Sequence, residues 1–484
     1  MRFAGLQFQA SCIVTPRFPR MPPEENSAVS KPRLAARIGL FDATMIVMGG
    51  IIGSGIFINS YVVAQQVHTA ALILGAWAAG GVVALLGAFI YAELAARLPE
   101  AGGQYAYLRE AYHPLLAFLY GWVLLLVIQT GGMAAVAVTF AKYLQVLVRV
   151  PFSDTWIAAI ALAVLAIINC LGVRAGSTLQ SALMVLKILA IAALVVAGAW
   201  YASPAAHKTL MSPVLDRPVS LDLVTAIGAA LTPVLFAYGG WQTANFVAAE
   251  IREPTRNLPR ALILGVVGVI ALYLGVNFVY VRVLTPAGLA ATSTPATDVM
   301  RHAFGATGES FIALGITIST LGFLSQSVLT APRVYFAMAK DGLFFRSVAW
   351  VDPRNHVPAV AILLQAAAAI VIAMTGRYEQ ILNYVVSMDF IFFGLTATCL
   401  FAFRRRDAIA QPAAGASAAS ARPNGSRSFR VPGHPFTTIV FIAISWFVVA
   451  NTIVKYPGNT LVGMGILFTG IPIYFVWRRR GHSA

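Results

Sequence analysis

Apolar stretches alternate along this chain with short polar punctuation, and their lengths decide the fold class. Residues 43–92 contain no Asp, Glu, Lys or Arg, which is room for two spans of about 20 residues each. Apolar runs bounded by basic residues, proline or glycine predict helices at 40–64, 70–97, 115–147, 154–172, 179–201, 222–249, 261–284, 310–340, 358–375, 380–403, 438–456 and 460–477. The pattern is that of an all-α integral membrane protein with about twelve transmembrane helices.

The order of the helices adds a symmetry. Five lie before Tyr201 and five follow Leu221, and the first starts on the inside while the sixth starts on the outside. That parity is what a five-plus-five inverted repeat requires, with two extra helices outside it. The chain divides accordingly into a disordered cytoplasmic tail (1–38), a ten-helix core (39–403), a cytoplasmic linker (404–437) rich in Ala, Ser and Gly, and a last helix pair with a short basic cytoplasmic tail (438–484). Proline-rich residues 16–23 fit a tail, or a true start at Met21.

Two glycine clusters interrupt the apolar pattern, at Gly49-Gly50-Ile51-Ile52-Gly53-Ser54-Gly55 in the first helix and Phe236-Ala237-Tyr238-Gly239-Gly240-Trp241 in the sixth. Breaking a helix in mid-membrane frees N–H and C=O groups that hydrocarbon cannot satisfy, so such breaks persist only beside a cavity or a polar ligand. The inverted repeat brings the two discontinuous helices face to face at the midplane, as in a transporter's substrate site. N–H groups at the start of a half-helix attract a carboxylate, with the Ser54 hydroxyl as a further donor. Carbonyls expected to be unpaired around Phe236, Ala237 and Gly239 suit an ammonium group. Phe236 and Trp241 are candidate gates, and close helix packing is the alternative for the glycines.

Composition agrees: 59% of residues are hydrophobic and 11% charged, and mean hydropathy is +0.78. The net charge of +16 does not indicate a nucleic-acid partner, because the basic residues sit in short connecting segments rather than one stripe. Their concentration on alternate segments, such as Arg252, Arg256 and Arg260 or Arg404, Arg405 and Arg406, places both termini in the cytoplasm. Cys12, Cys170 and Cys399 cannot form a disulfide framework.

Few charges fall inside apolar helices. Lys187 lies about nine residues into the fifth, near mid-bilayer at 1.5 Å per residue, and must find oxygen partners or lose its proton. It is expected to bridge the broken first helix to the eighth through Ser325, in the place of a sodium ion. Asp389 in the tenth helix is either a proton carrier or a carboxylate near the outer surface paired with Arg377. Asp42, Glu93 and Glu250 fall near cytoplasmic helix ends, where solvated termini are expected ahead of ion pairs. Metal, nucleophile and Walker motifs are missing from the sequence, so no enzyme, metal site or cofactor is expected.

The chain resembles the amino acid, polyamine and organocation transporter superfamily, closest to its L-type amino-acid transporter branch. The match rests on residues 49–57, on Pro99-Glu100-Ala101-Gly102-Gly103-Gln104-Tyr105, on 236–241 with Asn245-Phe246 and 250–259, on 333–342, and on Ser428-Phe429-Arg430-Val431-Pro432. The resemblance implies alternating access and amino-acid transport by exchange, facilitated flow or proton coupling. It implies that Ile51, Ser54 and Gly55 hold a substrate carboxylate, that Phe236, Ala237 and Gly239 lie near its amino group, and that Phe236 is the gating aromatic. It places Lys187 and Ser325 where sodium-independent members link helices five and eight. The chain departs from the branch at Gln242-Thr243-Ala244, and its 148–154 loop has no cysteine, so a disulfide-linked heavy-chain partner is not expected. The expected function is sodium-independent transport of neutral amino acids in the cell membrane. A membrane amino-acid sensor, or a carrier of cationic amino acids or polyamines, is the alternative.

Overall fold

The computed structural model describes residues 34–201, 213–375, 378–413, 429–455 and 457–481. The expected tail up to residue 33, both candidate starts, Cys12, Arg377 and linker residues 414–428 lie outside the described residues. Among those described there are only helices and turns, apart from one isolated bridge between Ile38 and Ile251. Backbone groups in a bilayer have no water to bond, which leaves the helix as the way for a single segment to satisfy itself.

The spans, in chain order, are Leu40–Ile51 with Gly55–Gln66, Ala70–Arg97, Pro114–Leu147, Asp154–Cys170, Val173–Trp200, Leu221–Glu250, Pro254–Ala291, Pro295–Lys340, Ala359–Met374, Tyr378–Ala413, Phe436–Lys455 and Pro457–Gly481. Nine helices among the described residues are long and apolar enough to cross a membrane, and the bent first pair makes a tenth. The fourth and ninth are shorter apolar helices. The protein is a multi-pass membrane protein.

Packing follows the repeat. The first span lies against the sixth, the second against the seventh, the third against the eighth and the fourth against the ninth. The fifth packs on the eighth as the tenth packs on the third, which is the same contact carried over by the two-fold relation. Small residues allow the close approaches: a Cβ on Gly80 would lie 2.4 Å from Val234, and one on Gly265 would lie 2.6 Å from Val47.

Several boundaries differ from the sequence reading, the seventh span beginning at Pro254 rather than near 261 and the eighth at Pro295 rather than near 310. The tenth span continues past Phe403 to Ala413, because Arg404 is captured by Glu93 rather than released into a linker. Residues 34–38 are tied down: Arg37 and Ile38 donate their N–H groups to the Glu250 carbonyl at 2.9 Å, and Arg252 N–H returns to the Ile38 carbonyl.

Candidate functional site

In the first span the helix stops at Ile51 and resumes at Gly55, with the two axes bent by 41°. Three successive carbonyls are released, and each is met by a side chain from a different span. Tyr273 donates its hydroxyl to the Ile51 carbonyl at 3.2 Å, Lys187 donates its ammonium to Ile52, and Ser319 donates its hydroxyl to Gly53 at 3.1 Å. The N–H groups of Ser54, Gly55 and Ile56 have no backbone acceptor among the described residues, as at the start of any helix.

In the sixth span the α-helix ends at Ala237, Gly240 takes φ +98°, and a 3₁₀ segment runs from Trp241 to Glu250. The expected set of unpaired carbonyls is only partly realised. Phe236 accepts the Gly239 N–H at 3.1 Å, and Ala237 accepts the Tyr273 hydroxyl at 3.1 Å. These bonds close a tight turn and leave each oxygen one free lone pair. The Gly239 carbonyl takes no hydrogen bond among the described residues.

The two breaks touch. A Cβ on Gly55 would lie 3.2 Å from that of Ala237, and one on Gly240 would lie 2.0 Å from the Gly50 carbonyl oxygen. Tyr273, within reach of both Ile51 and Ala237, joins them. The structure therefore brings Ile51, Ser54, Gly55, Phe236, Ala237 and Gly239 to one place. Gly49 and Gly50 lie within the helix and serve packing instead, one against Gln180 and the other against Gly240 and Thr243. Phe236 is half-buried beside the breaks. Trp241 turns away into an aromatic cluster, its ring centroid 4.7 Å from Tyr91 and 5.5 Å from Phe393.

Lys187 is fully buried, and its Cε and Nζ pass 3.4 Å from where a Gly322 Cβ would sit. The absence of a side chain at Gly322 lets the lysine reach the first break. The expected link through Ser325 is replaced: Ser325 Oγ is buried without a partner among the described residues, and Ser319 makes the eighth span's bond to the break. Helical spacing puts Ser319, Gly322 and Gln326 on one face, a signal the sequence held. Tyr273 gave no comparable signal.

The helix ends expected to be cytoplasmic, called the inner end below, are not solvated, which corrects the expectation for Glu93 and Glu250. Glu250 and Arg333 are both fully buried and joined by bonds of 2.6 and 3.0 Å. Glu93, also fully buried, accepts from Arg97, from Arg404 and from the Val431 N–H at 2.7 Å. A carboxylate out of water needs such partners, since breaking a buried pair costs about 3–5 kcal/mol. Asp42 accepts the Ser181 hydroxyl at 2.7 Å.

The segments that carried the family resemblance meet at this inner end. Gly102 donates to the Phe246 carbonyl at 3.0 Å, and Gly103, at φ +44°, leaves no room for a Cβ beside Asn245. In the short helix Gln104–Ala111, outside the spans, Arg109 pairs with Asp341 at 2.7 Å and Glu100 at 2.8 Å, and the Tyr105 hydroxyl donates to Asp341. Burial and the Asp341 carboxylate together hold the Tyr105 phenol well above its ordinary pKa. The inner end is thus closed, while Ser54, Gly55, Asn59, Phe236 and Phe323 keep partial exposure.

The amino acid permease family model matches residues 38–477. The serine/threonine exchanger SteT of Bacillus subtilis (strain 168) is 30% identical over 458 residues, covering 93% of this chain and 98% of that protein. The large neutral amino acids transporter small subunit 2 of Homo sapiens is 27% identical over 468 residues, covering 94% and 82%. The b(0,+)-type amino acid transporter 1 of Mus musculus is 28% identical over 457 residues, covering 92% and 88%. With ten helices or helix pairs among the described residues long enough to cross a membrane, two facing breaks and a match along nearly its whole length, the chain belongs to the amino acid permease family of membrane transporters.

Proposed function

We propose that the protein is a sodium-independent exchanger of neutral amino acids, working by alternating access in the cell membrane with both termini in the cytoplasm. One observation carries this reading. Two helix breaks abut, one offering free N–H groups at Ser54, Gly55 and Ile56 and the other offering carbonyl oxygens at Phe236, Ala237 and Gly239. A carboxylate suits the first set, since N–H groups and the helix dipole both favour negative charge there. An ammonium suits the second. The pair selects a zwitterion by its two poles and leaves the side chain to the surrounding walls, with half-buried Phe236 as the cover.

Sodium independence is supported by Lys187, whose terminal nitrogen already occupies the Ile52 carbonyl of the first break. The closed inner end and the partly exposed breaks describe a carrier accessible from the outside. The similarity to a serine/threonine exchanger over 98% of its length favours small neutral substrates. The described cysteines, Cys170 and Cys399, are free and lie in the fourth and tenth spans. This supports a carrier that works without a disulfide-linked subunit.

The test is uptake of labelled serine and leucine into proteoliposomes, with and without internal amino acid and with sodium replaced by choline. Internal substrate is expected to stimulate uptake severalfold, with no effect of sodium. Lys187→Ala loses a hydrogen bond from a charged group worth about 1.5–3 kcal/mol, a fall of roughly tenfold to a hundredfold in exchange if that bond is fully used in turnover. Strict sodium dependence with undiminished exchange by Lys187→Ala would overturn the reading.

A further inference from the structure

The eighth span meets the first break at Ser319. Further along the same face, about 10 Å away at 1.5 Å per residue, Gln326 reaches the sixth span just past the second break. Gln326 is buried, and so are Thr243 in the 3₁₀ segment and Thr330 one turn further along the eighth span. The glutamine amide nitrogen carries two hydrogens. One goes to Thr243 Oγ1 at 2.6 Å and the other to Thr330 Oγ1 at 3.2 Å. The Thr243 hydroxyl accepts that bond and donates its own hydrogen to the Gly240 carbonyl at 2.7 Å. A relay of hydrogen bonds thus runs from the eighth span into the turn of the sixth.

The turn depends on such support. Gly239 and Gly240 stand in succession, and with no Cβ on either, little in the chain itself fixes the orientation of the peptide between them. Bonds on both sides fix it instead. On one side the Gly239 N–H reaches the Phe236 carbonyl at 3.1 Å, and on the other the Gly240 carbonyl takes both the N–H of Thr243, at 3.2 Å, and its hydroxyl. The first span closes over the same point: a Cβ on Gly50 would lie 2.5 Å from the Gly240 oxygen, 2.8 Å from Thr243 Oγ1 and 3.2 Å from Gln326 Nε2. Thr243 belongs to the stretch Gln242-Thr243-Ala244, where the chain departs from the L-type pattern.

We infer that Gln326 and Thr243 are positioning residues for the ammonium half of the site. Through the Gly240 carbonyl they hold the Gly239 carbonyl, which takes no hydrogen bond among the described residues, toward the substrate amino group. This rests on the transport reading above. The eighth span then sets both poles, with Ser319 at the carboxylate break and Gln326 at the ammonium break, and both side chains act through backbone rather than on substrate.

The experiment measures exchange of labelled serine over a range of concentrations, in proteoliposomes of the full chain. Thr243→Val keeps the shape of the side chain and removes the hydroxyl, and Gln326→Leu removes the amide. Each is expected to raise KM about tenfold, the equivalent of one hydrogen bond. Maximal exchange is expected to stay within about twofold, since an interaction kept through the whole cycle contributes to binding alone. Thr243→Ser restores the hydroxyl and is expected to restore KM. The variant carrying both Thr243→Val and Gln326→Leu is expected to show a KM no higher than the worse single change, because both cut one relay. Effects that multiply in the double variant would overturn the inference. So would an unchanged KM in Thr243→Val, or a fall in maximal exchange at unchanged KM. If Gln326→Leu does not fold, Thr243→Val and Thr243→Ser decide the matter between them. Failure of the unmodified protein to exchange serine would instead overturn the transport reading on which the inference stands.

Discussion

Gly240 shows how a single backbone position fixes the site. Its φ of +98° is strained for any residue with a side chain, and a Cβ there would lie 2.0 Å from the Gly50 oxygen. The left-handed strain alone costs about 1–2 kcal/mol, and the backbone clash forces the two breaks apart. Gly240→Ala is therefore expected to abolish exchange, whereas Gly228→Ala, with only Phe447 at 3.8 Å, leaves it intact. Exchange rates measured on folded, monodisperse protein check this pair. The glycine clusters and Lys187 were legible in the sequence because a mid-membrane glycine or lysine contradicts its surroundings. Tyr273 was not, since a lone hydroxyl in an apolar helix becomes informative only when the carbonyl it meets is known.

At the scale of elements, the inner end is held by contacts between segments far apart in the chain. Glu250 ends the 3₁₀ segment of the sixth span, Arg333 lies in the last turns of the eighth, and residues 37–38 precede the first. Removing one member of a buried pair leaves the other charge without compensation, at about 3–5 kcal/mol. Glu250→Ala is thus expected to loosen the inner end and expose the buried face of the eighth span. Ser325→Cys, in a background lacking Cys170 and Cys399, provides the reporter. With Cys12 also replaced in that background, its labelling by a membrane-impermeant thiol reagent from the cytoplasmic side should rise at least tenfold with Glu250→Ala. Unchanged labelling in a correctly folded variant would show that the pair does not close this end. These glutamates were misread as solvated ends because sequence position gives depth along a helix but not the direction a side chain faces.

For the whole molecule, the tenth and eleventh spans are bound to the core by Glu93, which gathers Arg97, Arg404 and the Val431 N–H. His434 lies just beyond, its ring nitrogen 2.9 Å from Thr438 Oγ1. Burial lowers its pKa, and the positive charge of Arg404 lowers it further. A histidine with a lowered folded-state pKa contributes stability that is complete above its unfolded value near 6.5 and is lost as pH falls below it. Thermal melting in detergent is expected to drop between pH 7.5 and 5.5. His434→Gln, which cannot take up the proton, flattens that drop, and an unchanged pH dependence in the variant would exclude this origin.

The sequence by itself determined the class of the protein, the number and parity of its spans, the places where two of them break, and the presence of a cation at mid-depth. These are one-dimensional properties, set by the length of apolar runs and by residues that violate them. Only the tertiary structure decided which hydroxyls fill the released carbonyls, that Phe236 remains beside the breaks while Trp241 turns away, and that the acidic helix ends are buried and paired. The reason is that apolar surroundings leave side-chain direction free. It becomes fixed only when another span, hundreds of residues away, supplies the donor or the charge that a buried polar group requires.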